Sequence, residues 1–297
     1  MYTLVMVPYS KSLLALPLID AGSGLIEYTA MLCRLGIVHE IEVVHVVAEG
    51  TAELARVESE MKAAVGDRLQ SNRVSFHVLE GDRTDKILQF SAERQTELVL
   101  LGHRRSRNAR RSLARRLAMK APCSVWLVPD GSEIALSRII APVDLSEHSA
   151  DSLREAIGIA SIAGVREVTA LHVYFEAEVV SYSGSEARAH QKDENALSRF
   201  VSGIDHKGIQ VVPESIEAAK VAHAIHHLSA ERGANLVVMG TRGRSRAASV
   251  LLGSQTEQAL METNIPIVAV KHFGASRNLL QVLLNRATWA QEGPRFG

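Results

Sequence analysis

The densest chemical signal in the chain is a set of glycines: Gly240 and Gly243, then nine residues, then Gly253 followed by Ser254 and Gln255. Lacking a Cβ, glycines let main-chain N–H groups come close to an anion, and Gly253 puts that opening at the head of the helical segment SQTEQALMET. Helix dipole and unpaired amides each favour a nearby negative charge by roughly 0.3–1 kcal/mol. A chain of phosphates can be held this way without a lysine, and Ser254 adds a hydroxyl or an N-cap. Neither a Walker A lysine motif nor a G-x-G-x-x-G fingerprint is present, which argues against P-loop chemistry and dinucleotide binding.

Other reactive residues are poorly organised for catalysis. His223, His226 and His227 have the spacing to hold a metal on one helix face, but no cysteine or carboxylate accompanies them locally, so an exposed or half-buried face is expected. His45 and His172 fall at matching strand ends and are expected to shape the sheet edge. Cys33 and Cys123 are far apart and in no metal spacing, as suits free buried thiols in a reducing compartment. No Ser-His-Asp order, carboxylate pair or CxxC is present, and no catalytic residue is assigned.

The elements that must position the glycines come from an internal repeat. LVMVPYSKS (residues 4–12) resembles IIAPVDLS (139–146); aligning Pro8 with Pro142 sets Ser10 opposite Asp144 and Ser12 opposite Ser146. VVHVV (43–47) resembles ALHVY (170–174), ELVLLGHR (97–104) resembles NLVVMGTR (235–242), and APCSVWLVP (121–129) resembles NIPIVAVK (264–271). Each block is a short apolar, β-branched run, the pattern of a strand buried on both faces of a parallel sheet. Helical patterns lie between them: residues 149–163 put Leu153, Ile157, Ala160 and Ala163 on one stripe, and 218–232 do so with Val221, Ala222, Ile225 and Leu228. Two doubly wound α/β domains follow, residues 1–132 and 136–274, joined at the turn-forming DGSEIALS. A polar stretch, 176–205, is expected to be a loop leading into a helix, and 275–297 a C-terminal helix and tail. In such sheets ligands sit outside the carboxyl ends of the strands, which is where Asp144, Val173 and Met239–Gly240 fall.

Composition fits this reading. With 297 residues, 46% hydrophobic and a net charge of zero from 33 basic and 33 acidic residues, the chain has core enough for two domains and lacks the overall charge of a generic nucleic-acid binder. No basic n-region precedes the apolar N-terminus, and no window reaches the ~18 apolar residues needed to span a bilayer. A cytoplasmic protein, neither membrane-bound nor nucleic-acid-bound, is expected.

The glycine pattern, with the upstream P-V-D-x-S-E and L-H-V blocks, resembles the ATP-binding subgroup of the universal stress protein family, whose motif is G-x2-G-x9-G-[S/T]. The resemblance runs over nearly the whole chain as a tandem pair. It implies two Rossmann-like (adenine nucleotide alpha hydrolase-like) domains, each a five-stranded parallel sheet of order 3-2-1-4-5 with helices on both faces. It further implies a site in the second copy: Asp144 and Val173 meeting adenine, Pro142 lining it, Met239 and Gly240 flanking the ribose, and Gly243, Gly253, Ser254 and Gln255 wrapping the phosphates. Read alone, Asp144 serves equally as an N-cap and Met239 as core. ATP, with Mg²⁺, would then be an allosteric ligand of a stress-response regulator, with hydrolysis slow or incidental and no enzyme activity assigned. A pseudo-twofold pairing of the copies, further homo-oligomers and an unnamed regulatory protein partner are also implied.

Copy one departs from the pattern. Ser10 is expected where copy two has Asp144, Arg105 replaces the second glycine, and Arg111–Ser112 replace Gly253–Ser254. Seven arginines crowd residues 104–116 without an acid, yet residues 1–132 hold 17 basic and 15 acidic residues. A solvated or internally paired face, answered by Asp82, Asp85, Glu97 or copy two, is expected first; a small-anion or partner site comes next, and RNA last, because aromatics are not interleaved. The rival to nucleotide regulation is a nucleotide-independent interaction module using this arginine-rich segment.

Overall fold

A computed structural model of the chain describes residues 9–17, 22–69, 73–103, 113–174, 185–241 and 253–271. The N-terminal half holds β1 (Tyr9–Ala15), α1 (Gly22–Arg34), β2 (Val38–Val47), α2 (Leu54–Val65), β3 (Arg73–Glu80), α3 (Arg83–Glu93), β4 (Leu98–His103), α4 (Leu113–Lys120) and β5 (Ser124–Pro129). The C-terminal half repeats the order with β6 (Ile139–Val143), α5 (Glu147–Ala163), β7 (Glu167–Tyr174), α6 (Ser185–Ser202), β8 (Gln210–Glu217), α7 (Val221–Arg232), β9 (Leu236–Gly240), α8 (Ser254–Glu262) and β10 (Ile267–Val270).

All ten strands form one sheet, ordered β3-β2-β1-β4-β5-β10-β9-β6-β7-β8. Each half is therefore a parallel 3-2-1-4-5 sheet, as the resemblance implies. The halves meet where β5 and β10 run antiparallel, with Val268 opposite Trp126, Ala269 opposite Val125 and Ile267 opposite Leu127. That register places equivalent residues about a local twofold between Trp126 and Val268. Strands that would be edges of separate domains become the buried centre, and every residue of both is buried.

Helices cover both faces. One apolar cluster joins α1, α2, α5 and α6 to the sheet through Leu25, Met61, Leu153, Ile157 and Leu197; the other joins α3, α4, α7 and α8 through Ile87, Leu117, Ile225, Leu228 and Leu260. Leu153, Ile157, Ala160, Ala222, Ile225 and Leu228 are buried on the stripes expected of them. Each fully buried aliphatic side chain contributes roughly 1.5–3 kcal/mol. Tyr28 on α1 meets Trp126 edge-on, ring centroids 6.1 Å apart, beneath the joint.

One sequence expectation is corrected here. The strand that pairs with β2 and β4 is Tyr9–Ala15, and residues 1–8 lie outside the described residues. Ser12 pairs with Leu98 as Ile139 pairs with Leu236, and Leu16 accepts from His45 as Val143 accepts from His172. Pro17, not Ser10, therefore stands where Asp144 does, and Ser12 lies buried within the strand instead of matching Ser146. The aligned prolines led to a register seven residues too early, because SLLAL is as good an apolar run as LVMVP and only pairing to β2 and β4 separates them. The arginine-rich residues 104–112, most of the polar segment before α6, and the tail from 272 onward also lie outside the described residues.

Candidate functional site

In the C-terminal half the chain order reverses between β6 and β9, and these strands part early. Their pairing stops at Ile140–Val237, although β6 stays registered with β7 to Val143–His172. In the other half β1 and β4 remain paired two residues further, to Ala15–Leu101. The cause is local: Pro142, buried in β6, has no N–H to donate to a ladder. The proline opens the switch point at its carboxyl end, where this architecture seats ligands.

Asp144 sits just past that opening. Leu145 takes a left-handed φ of 63°, uncommon for a branched residue, and turns the chain so that Asp144 Oδ1 accepts from Ser146 N–H at 3.1 Å and Ser146 Oγ at 2.5 Å. Ser146 then caps α5, its Oγ accepting from Ser149 N–H. The N-cap is thus Ser146, and Asp144 braces it. His172, buried, lies beside Val143 with Nδ1 2.9 Å from its carbonyl; His45 makes the matching bond to Leu16 at 2.8 Å. Both histidines shape strand ends, as expected.

The glycine motif closes from the other side. Thr241 N–H donates to Val270 O at 3.0 Å, and Gly253 N–H donates to Thr241 O at 2.9 Å. Thr256 Oγ1 donates to Gly240 O at 2.8 Å. These bonds fasten the first turn of α8 to the end of β9. Because the Gly253 amide is spent on Thr241, the amides that the helix start leaves without an intrahelical acceptor are those of Ser254, Gln255 and Thr256. A Cβ on Gly253 would stand 3.6 Å from Thr241 O and 3.7 Å from Thr256 Oγ1, ordinary contact, so packing does not demand the glycine.

The remaining sequence candidates divide. Met239 is buried in the core beneath α7 and α8, and Val173 is half-buried against the same cluster. Gln255 is exposed, and its Oε1 accepts from Val221 N–H at 3.3 Å, tying α8 to the start of α7. Gly243 lies outside the described residues. The structure therefore brings Pro142, Asp144, Gly240, Gly253 and the α8 amides to one end of the sheet, while Met239 belongs to the core.

Elsewhere the histidines of α7 stay exposed, His223 lying 3.9 Å from Glu262 and His227 3.6 Å from Glu231. Among the described residues no group of three His, Cys, Asp or Glu could hold a metal ion. Burial pushes the thiols of Cys33 and Cys123 up to about 12, so neither is a nucleophile at neutral pH. Of the arginine cluster, Arg115 pairs with Glu257 of the other half at 2.5 Å, and Arg116 helps hold the Asp82 carboxyl below its usual range, after the amides of the α3 start. Sequence reasoning missed a pocket of about 260 Å³ at the corresponding end of the N-terminal half, lined by Leu16, Pro17, Val46, Arg83, Leu113 and neighbours.

Comparison with known proteins agrees with this architecture. The sequence pattern of the universal stress protein family matches residues 1–129 and again 136–271. A universal stress protein of Methanocaldococcus jannaschii is 27% identical over 164 residues, spanning 52% of this chain and 93% of its own length. Crystal structures of a universal stress protein from Archaeoglobus fulgidus (TM-score 0.67, 18% identity, 90% of this chain and 98% of that one) and of a putative one from Pseudomonas aeruginosa (TM-score 0.62, 16% identity, 88% and 93%) share the fold. No helix among the described residues is long and apolar enough to cross a membrane. The chain belongs to the universal stress protein family and carries the family's domain twice.

Proposed function

We propose that the C-terminal half binds ATP at the parted mouth of β6 and β9, and that the bound nucleotide sets the state of a cytoplasmic stress-response regulator. The two domains in this reading are residues 1–132 and 136–274, with 275–297 a C-terminal helix and tail. The observation that carries the reading is the seam between β9 and α8. Gly240, Thr241 and Gly253 are hydrogen-bonded so that α8 starts at the carboxyl end of β9, the strand that parts from β6 at Pro142. In this reading the amides of Ser254, Gln255 and Thr256 take phosphate oxygens, and the sequence motif assigns Gly243 to the same phosphates. Asp144, braced by Ser146, offers carboxylate oxygen to the nucleoside end. No metal cluster stands ready among the described residues, so Mg²⁺ is carried in on the phosphates, as it commonly is.

Among the described residues at this mouth, none is arranged to activate water. His172 has one nitrogen against Val143 O, and Asp144 Oδ1 is held by Ser146. The nucleotide is a ligand in this reading, not a substrate. Thermal unfolding of the full chain with and without Mg-ATP tests it. At a hundredfold excess over Kd, binding adds about 2.7 kcal/mol, giving a saturable rise in midpoint that Gly243→Arg or Gly253→Arg abolishes. An unchanged midpoint at millimolar ATP would instead favour a nucleotide-independent interaction module.

A further inference from the structure

The N-terminal half keeps a cavity of about 260 Å³ at the corresponding end of its sheet, just under the roughly 300 Å³ at which small-molecule pockets begin. Its lining differs in kind from the C-terminal mouth. By strand and helix register, Pro17 stands for Asp144, Leu113 for Gln255, Ala114 for Thr256 and His103 for Thr241, and Arg83 stands for Val221. A carboxylate, an amide and a hydroxyl have become proline, leucine and alanine, while one apolar position has become a guanidinium.

The polar groups are not evenly spread. Arg83, exposed on the first turn of α3, meets the cavity from the end of β2, and no described carboxylate pairs with it. Its neighbour Asp82 is turned to the Thr84 and Asp85 amides. His45 also lines the cavity; its Nδ1 donates to Leu16 O, so in the neutral ring Nε2 is an acceptor. Asp130 lies at the other end, its N–H bonded to His103 O where β4 and β5 finish. Val44, Val46, Ile87, Leu101 and Ala114 form the body of the lining. A positive group at one end, an apolar chamber, and an acid at the far end describe an oriented site for a molecule with one anionic head and an apolar body.

We propose that this cavity binds a small amphiphilic carboxylate, with its head on Arg83 and its apolar body against Val46, Ile87, Leu101 and Leu113. Desolvating the body supplies the area term, and the charge-assisted contact to Arg83 sets orientation. Ribose and adenine find no carboxylate here, since Pro17 has replaced it. The site stands whether or not the C-terminal half takes ATP.

The test uses the full chain and octanoate as probe, followed by calorimetric titration and by NMR of the carbon-labelled ligand. Octanoate should bind saturably with one site per chain, undiminished by saturating Mg-ATP. Arg83→Gln, at an exposed position outside the core, should weaken octanoate about tenfold while leaving the weaker binding of octan-1-ol unchanged. Gly253→Arg should leave octanoate affinity as it was, which separates this site from the nucleotide reading. No saturable binding at millimolar octanoate, displacement of octanoate by ATP, or an affinity unaltered by Arg83→Gln would each overturn the proposal.

Discussion

Arg115 on α4 and Glu257 on α8 occupy the same position in their respective halves, and they pair with each other, Nε to Oε1, at 2.5 Å across the joint. One copy of the repeat carries the cation and the other the anion, so the two domains recognise each other as unlike partners. Lys271 strengthens the same seam, its Nζ donating to Met119 O at 2.8 Å and its backbone N–H to Ser124 Oγ.

This pair is partly buried, with side-chain exposures of 24% and 32%, so it should exceed a surface ion pair. A double-mutant cycle of Arg115→Ala and Glu257→Ala, read by chemical denaturation, should give a coupling of about 1 kcal/mol. The charge swap, Arg115→Glu with Glu257→Arg, should recover most of it. A coupling indistinguishable from zero would mean that the joint rests on β5 and β10 alone.

Gly253 separates folding from binding. Its backbone φ of −59° suits any residue, and a Cβ meets nothing closer than 3.6 Å. Gly253→Ala should therefore cost at most about 1 kcal/mol in the absence of nucleotide, the loss of a favourable N-cap. If the amides of α8 hold phosphate, the added methyl should still reduce the rise in midpoint caused by Mg-ATP. An undiminished rise in a normally folded Gly253→Ala would move the phosphates away from this turn.

Pro142 is expected to set the width of the mouth. Replacing it by alanine restores a main-chain donor, so β6 and β9 should zip two residues further, as β1 and β4 do. Hydrogen exchange followed residue by residue should show new protection around residues 141–142 and 238–240, together with weaker ATP binding. Unchanged exchange there would mean that α5 or α8, not the proline, holds the strands apart.

Glu155, on α5, is half-buried facing Tyr9, and desolvation raises its carboxyl above the ordinary 4.5. A raised folded-state value favours the protonated acid in the native protein. Its stabilising contribution is therefore complete below pH 4.5 and lost as pH climbs through the folded value. Glu155→Gln should be more stable than the parent at pH 7, with the advantage shrinking towards pH 4. Parallel stability curves across that range would show that the carboxyl is relaxed by neighbours such as Lys207.

Much of the architecture was legible because strands buried on both faces leave compact apolar blocks, and those of the second, fourth and fifth strands recurred in order. The register of β1 was not. The clue lay in the other blocks: the spacing that matches VVHVV to ALHVY, carried back to the first strand, pairs Leu16–Pro17 with Val143–Asp144. Edge strands β3 and β8 escaped the repeat search because RVSFHVLE and QVVPESIE are half polar, as outer strands with one unpaired side tend to be. At the site, Gly240, Gly253 and Asp144 announced themselves by type and spacing. The internal use of the Gly253 amide and the N-terminal chamber did not, since each depends on residues separated in the chain meeting at one strand end, and the bracing of Ser146 depends on the left-handed turn at Leu145.

The antiparallel seam about Trp126 and Val268 carries a last consequence for assembly. By turning its own fifth and tenth strands inward, the polypeptide has used up the border along which two separate single-domain molecules could have zipped together. Larger complexes must recruit other terrain: the helical faces, or outer flanks where Arg73 and Glu40 or Pro213 interrupt smooth strand addition. Duplication within one gene product has thereby made a two-domain unit whose stoichiometry is covalently fixed, leaving each half to diverge in what it holds.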